Sequence, residues 1–168
     1  MNAHDILMYG DSFVLRNLEG LPMEHWQTDG VCGWWGVKEI IGHLSSFEHV
    51  LTEVFRGFLE GGPTPYMDLM AEIGPGPWND VQIANRQGQT PAESLAEYQQ
   101  AQAENLRLVA RLPEATLRQP GTLPWYGAEY ALDDYLVYQF YGHKREHMAQ
   151  VNVFKDTFNP LATKRPAA

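Results

Sequence analysis

The chain has 168 residues, 44% of them hydrophobic, a formal net charge of −9 and one cysteine, Cys32. That length suffices for one domain with a substantial core and falls short of two. The acidic balance, broken by no Lys/Arg cluster beyond short pairs such as Lys164-Arg165, works against phosphate backbones and anionic lipid, so neither nucleic acid nor membrane is an expected partner. One cysteine excludes an intrachain disulfide and a cysteine-based metal cage, and with no basic segment leading into a long apolar run the expected location is the cytoplasm.

In chain order, Ile6, Leu7, Phe13, Val14 and Leu18 predict a first helix from about His4 to Leu18, stopped at Glu19-Gly20-Leu21-Pro22. Residues from Met23 to Trp35 read as a loop. Val37, Ile40, Ile41, Leu44, Phe47, Leu51, Val54, Phe55 and Phe58 follow a helical rhythm that closes at Gly61-Gly62-Pro63. Four prolines between Pro63 and Trp78 predict a connection without sustained regular structure, followed by a short helical piece over 79–85. Thr90-Pro91-Ala92-Glu93 supplies a capping threonine, a proline at the first helical position and a glutamate at the third, which starts a helix running from Leu95 through Leu112. After a break over 113–127, a last helix spans about Glu129 to Thr157, ended by Asn159-Pro160. The expected fold is all-α, a four-helix bundle with long connections in one domain over 1–158, and 159–168 is expected to be a disordered tail.

On the last helix the positions Leu132, Leu136, Phe140, His143, His147, Gln150 and Phe154 share one stripe. Two imidazoles thus take places that a bundle gives to leucine, and buried polar rings need partners. A pair spaced i, i+4 can hold one ion between them, which satisfies both lone pairs. A reactive metal centre takes three protein ligands and keeps a further position open, so a third is needed. Stepping by about 100° per residue puts His43 roughly 20° from Val54, at the rim of the second helix's apolar arc, whereas His49 falls on its far side. His4 lies near a helix end and His25 in a loop. The candidate ligands are therefore His43, His143 and His147, with His4, His25 and His49 left as surface residues. The competing readings are a metal-free, hydrogen-bonded histidine core and a bundle whose ion is only structural.

His143-Lys144-Arg145-Glu146-His147 also fits the H-x-x-E-H pattern of inverted zinc peptidases. Those enzymes draw a third ligand from well downstream, whereas 21 residues follow His147 here and Asp156 is their only acid. Glu146 remains a candidate base for a metal-bound water, set against a solvated glutamate paired with nearby Lys or Arg. Trp34, Trp35, Trp78, Trp125 and Tyr126 are read at helix ends, lining a pocket mouth or sealing the bundle. Tyr138 and Tyr141 step away from the histidines, toward another surface or a second subunit.

Trp35-Gly36-Val37-Lys38-Glu39-Ile40-Ile41-Gly42-His43-Leu44 resembles the Trp-Ser-Val to His-Leu segment that opens the second helix in the DinB-like superfamily, and Tyr141 to His147 is similar to its H-x-x-x-H segment on the last long helix. Gly36 stands where the family usually has a capping serine. The resemblance implies a four-helix bundle with a three-histidine site for a divalent ion, commonly zinc or nickel, often in a homodimer. It implies activities such as thiol-dependent transfer with mycothiol, bacillithiol or glutathione, or hydrolysis of reactive small molecules. The superfamily's DNA-damage name refers to regulation, and nothing in this acidic chain suggests contact with DNA.

Overall fold

The computed structural model describes residues 2–158, so the expected tail lies outside the described residues. The first helix, α1 (Ala3–Leu18), starts where the Asn2 side chain accepts the His4 N–H at 3.0 Å. In α2 (Val37–Leu59) the Glu39 carboxylate reaches back to the Gly36 N–H at 3.1 Å. A Cβ at Gly36 would stand 2.6 Å from the Trp26 carbonyl oxygen and 2.9 Å from that of Thr28. Glycine here is thus required by the close approach of the preceding loop, and a serine cap has no room.

The proline-rich connection is more regular than its composition predicts. It forms two helices, α3 (Pro65–Ile73) and α4 (Pro75–Ala84), separated by Gly74 at φ 80°. Pro65 and Pro75 each occupy a first-turn position, where a missing N–H costs nothing and the fixed φ suits a helix. Glu53 of α2 accepts the N–H groups of Tyr66 and Met67, each at 2.9 Å, and so places a carboxylate at the positive end of α3. Trp78, expected in a loop, is fully buried within α4 and donates to the Tyr66 carbonyl at 3.1 Å.

Thr90 and Glu93 cap α5 (Pro91–Val109) reciprocally, as their spacing predicts. A short α6 (Glu114–Arg118) interrupts the next connection. The last long helix begins at Leu132, not Glu129, and is continuous through α7 (Leu132–Tyr135), a π-helical stretch (Leu136–Gly142) and α8 (His143–Phe158). The His143 N–H bonds to the Tyr138 carbonyl five residues back. This wider turn changes the helix phase, so Lys144, His147, Met148 and Val151 face the core while His143, Gln150 and Phe154 are half-buried.

The fold is an all-α bundle in which α2 lies along α5, and α1 along the π-helical stretch and α8. Among the described residues there is no strand, and no helix is long and apolar enough to cross a membrane. Leu7, Leu51, Phe55, Leu108 and Phe140 belong to one apolar cluster; Val14, Ile41, Leu44, Tyr98 and Met148 belong to another. Between the two clusters in chain position on all four long helices sit Asp11, Glu48, Gln102, Asn105 and Lys144, a polar layer through the middle of the bundle. Gly10 lets α1 approach the last helix there, since a Cβ would lie 2.6 Å from the Phe140 carbonyl oxygen.

Candidate metal centre

The π-helical stretch ends directly before His143, and one turn of α8 separates that residue from His147. His43 comes from the second turn of α2. The Nε2 of His143 lies 3.0 Å from Nε2 of His43 and 3.0 Å from Nε2 of His147, and one ring nitrogen from each residue falls within 4.8 Å of the others. Three nitrogens bound tetrahedrally at 2.0–2.1 Å stand about 3.3 Å apart, close to the 3.0 Å of the two pairs that His143 makes.

Proton counting shows why the cluster suits a cation. A neutral imidazole nitrogen carries either one proton or one lone pair, so Nε2 of His143 can hydrogen-bond to only one of its two neighbours. His147 Nδ1 stands 3.0 Å from the Gln150 side-chain oxygen, an acceptor, so the proton sits on Nδ1 and the Nε2 lone pair points into the cluster. His43 Nδ1 and His143 Nδ1 are buried without close hydrogen bonds, the first ring facing the Asn79 side chain and the second the Gln139 backbone, which can accept their protons. With protons on all three Nδ1 atoms, three lone pairs converge. A divalent ion satisfies them together, and the residues fit it.

Charge favours the ligating form of each ring. Burial, reinforced by the neighbouring imidazoles His143 and His147, pushes His43 down to about 2. Burial, then His147 and Lys144, pushes His143 to about 4, and burial also lowers His147. At neutral pH all three are uncharged. Aromatic rings exclude water around them: Trp35 lies 4.9 Å from His43 and 6.4 Å from His147, and Phe47 lies 5.0 Å from His43 and 4.9 Å from His143. Trp78 backs Phe47 at 5.4 Å. Gln150 holds the tautomer of His147, and Gln150→Leu is expected to weaken zinc binding by about 10–100-fold, measured by competition with a chromophoric chelator.

The other sequence candidates lie elsewhere. Among the described residues no Cys, Asp or Glu joins the three histidines within 4.8 Å. Glu146 is exposed, and Cys32 is half-buried where its backbone pairs with Trp35. His4 lies near Asp5, and His25 stacks on Phe158 at 4.3 Å. His49 is on the far side of α2, as its phase predicts, yet it is no ordinary surface residue: its Nε2 meets Glu97 at 2.9 Å and its ring stacks on Tyr66. Trp34 and Trp125 are exposed. Asn79 falls at the start of the short helical piece read over 79–85, but nothing in the sequence turns it toward His43; Gln150 was visible on the histidine stripe.

An all-α bundle with three converging imidazoles defines a helical protein able to hold a divalent ion. The sequence model of the DinB superfamily matches residues 14–151, a span that includes His43, His143 and His147, and the chain belongs to that superfamily. No curated protein and no solved structure matches it.

Proposed function

We propose that this chain is a cytoplasmic metal-dependent enzyme that transfers a thiol to, or hydrolyses, a reactive small molecule. The observation that carries the reading is the donor set: three neutral imidazoles converge, and among the described residues no fourth titratable ligand closes the cluster. Zinc or nickel suits nitrogen donors of this kind. Such an ion supplies Lewis acidity and lowers the pKa of a coordinated water or thiol toward neutrality. His43, His143 and His147 hold it, Gln150 orients His147, and Trp35 and Phe47 keep bulk water from the rings. An ion with a structural role alone would call for a fourth protein donor.

The test is turnover by zinc- and nickel-loaded protein with mycothiol, bacillithiol or glutathione and a model electrophile, alongside ester and amide hydrolysis. Metal-dependent turnover lost in His43→Ala supports the reading; none with any combination overturns it in favour of a non-catalytic metal-binding bundle. The exposed carboxylate of Glu146 is assigned no step, so Glu146→Gln is expected to leave kcat within about threefold; a loss of about 10²-fold or more would restore it as general base. A homodimer is the expected assembly, meeting through the outward face where Tyr9 and Tyr138 are 59% and 61% exposed. Light scattering is expected to give twice the chain mass, falling to one mass in Tyr9→Glu.

A further inference from the structure

Behind Phe47 lies a cleft of about 570 Å³, walled by Phe47, Met67, Met70, Trp125, Tyr126 and Tyr135. Phe47 belongs to both places, since the same ring contacts His43 and His143. Gln139, one turn before His143, also lines the cleft. The volume falls within the range of roughly 300–1,000 Å³ usual for small-molecule sites. A smaller recess of about 260 Å³ shares Thr64, Met67 and Trp125 with it and extends the same apolar wall toward Phe58. A separate cleft of about 590 Å³ near the start of α1 is bordered by His4 but by none of His43, His143 and His147 or their aromatic neighbours.

The lining selects its ligand by charge. Among the described residues no Lys, Arg or His borders the cleft, and the one carboxylate, Asp68, is exposed and accepts from Thr64 Oγ1 at 2.9 Å. Burial raises the pKa of both Tyr126 and Tyr135, so their phenols stay neutral. An anion entering here would lose hydration and find no counter-charge. Flat aromatic walls and two flexible methionines suit an apolar group of variable shape, and Gln139 with the tyrosine hydroxyls offers only uncharged hydrogen bonds.

We propose that this cleft binds the uncharged, mainly apolar part of the substrate, an aromatic or acyl group, beside the histidine centre. The assignment of that ligand as substrate rests on the catalytic reading above; the cleft's preference for uncharged apolar molecules does not. The test titrates the zinc-loaded full chain with two naphthalene dyes of the same ring system, one an uncharged dialkylamino ketone and one a sulfonate. The uncharged dye is expected to bind about tenfold tighter or better. Ala71, an exposed α3 residue at the cleft wall, allows two surface variants. Ala71→Trp fills the space and is expected to weaken the uncharged dye by about tenfold with zinc content unchanged. Ala71→Lys adds a cation and is expected to shift the preference toward the sulfonate, a change that structural damage would not produce. Equal binding of both dyes in the parent, or indifference to both variants, overturns the proposal. The expected dye pattern without any metal-dependent turnover supports the cleft and retires the catalytic reading. Turnover of an aromatic ester that Ala71→Trp leaves unchanged, with dye binding also unchanged, retires the cleft alone.

Discussion

His143→Ala is expected to abolish retention of a divalent ion. The Nε2 of His143 is the atom within 3.0 Å of both other imidazoles, so its removal leaves His43 and His147 without the donor between them. Losing only an orienting neighbour typically costs about 10–100-fold in metal affinity, and losing a ligand costs more. The parent protein, dialysed after loading, is expected to keep one zinc or nickel per chain by elemental analysis, and the variant almost none. Stability gives a second readout. An ion at about 100 times its Kd stabilises the folded chain by about 2.7 kcal/mol, so zinc is expected to raise the parent's Tm and leave that of His143→Ala unchanged. Without metal the variant is expected to fold, because the substitution removes a buried lone pair along with the ring. A full complement of ion in His143→Ala would show that the ion binds elsewhere.

Lys144→Ala is expected to cost about 3–5 kcal/mol of folding free energy. The ammonium is 1% exposed and stands 2.6 Å from the Glu48 carboxylate, which is 0% exposed. It also reaches Gln102 at 3.3 Å and lies 5.2 Å from the Tyr98 ring centroid, while Asn105 donates to the other Glu48 oxygen at 2.7 Å. Removing the lysine strands a buried carboxylate beside Asp11, whose own carboxyl is raised first by burial and is lowered by this same ammonium. The double variant Lys144→Met/Glu48→Leu is expected to recover most of the loss, since replacing both charges with apolar groups of similar volume is often neutral or better. Urea unfolding compares the three proteins. A Lys144→Ala loss below about 1 kcal/mol would mean that the pair is hydrated and contributes as little as an exposed one.

The four long helices were legible because their apolar residues recur at helical spacing and Thr90 to Glu93 spells out a cap. The histidine cluster was legible for the same reason: polar rings at positions 43, 143 and 147 broke an apolar pattern, and the structure brings their nitrogens together. What escaped depends on contacts distant in sequence. The helix α3 and the first turn of α4 were hidden because proline marks both breaks and first turns, and the deciding partner of α3, Glu53, lies outside the segment. The π-helical stretch has no composition signal, so nothing in the sequence marks Lys144, off the histidine stripe, as the ammonium buried against Glu48. Gly36 looked like an exchangeable cap until the Trp26 and Thr28 carbonyls were seen above it. The cleft behind Phe47 draws on α2, α3 and the residues before α8, which no single segment reveals.

The most direct measurement is anomalous diffraction from crystals of the metal-loaded full chain, collected at the absorption edges of zinc and nickel. The expected result is one peak bonded at about 2.0–2.1 Å to the Nε2 atoms of His43, His143 and His147, with its remaining coordination open to solvent or an added thiol. No peak among the three rings, or a peak closed by a fourth protein side chain, would contradict it.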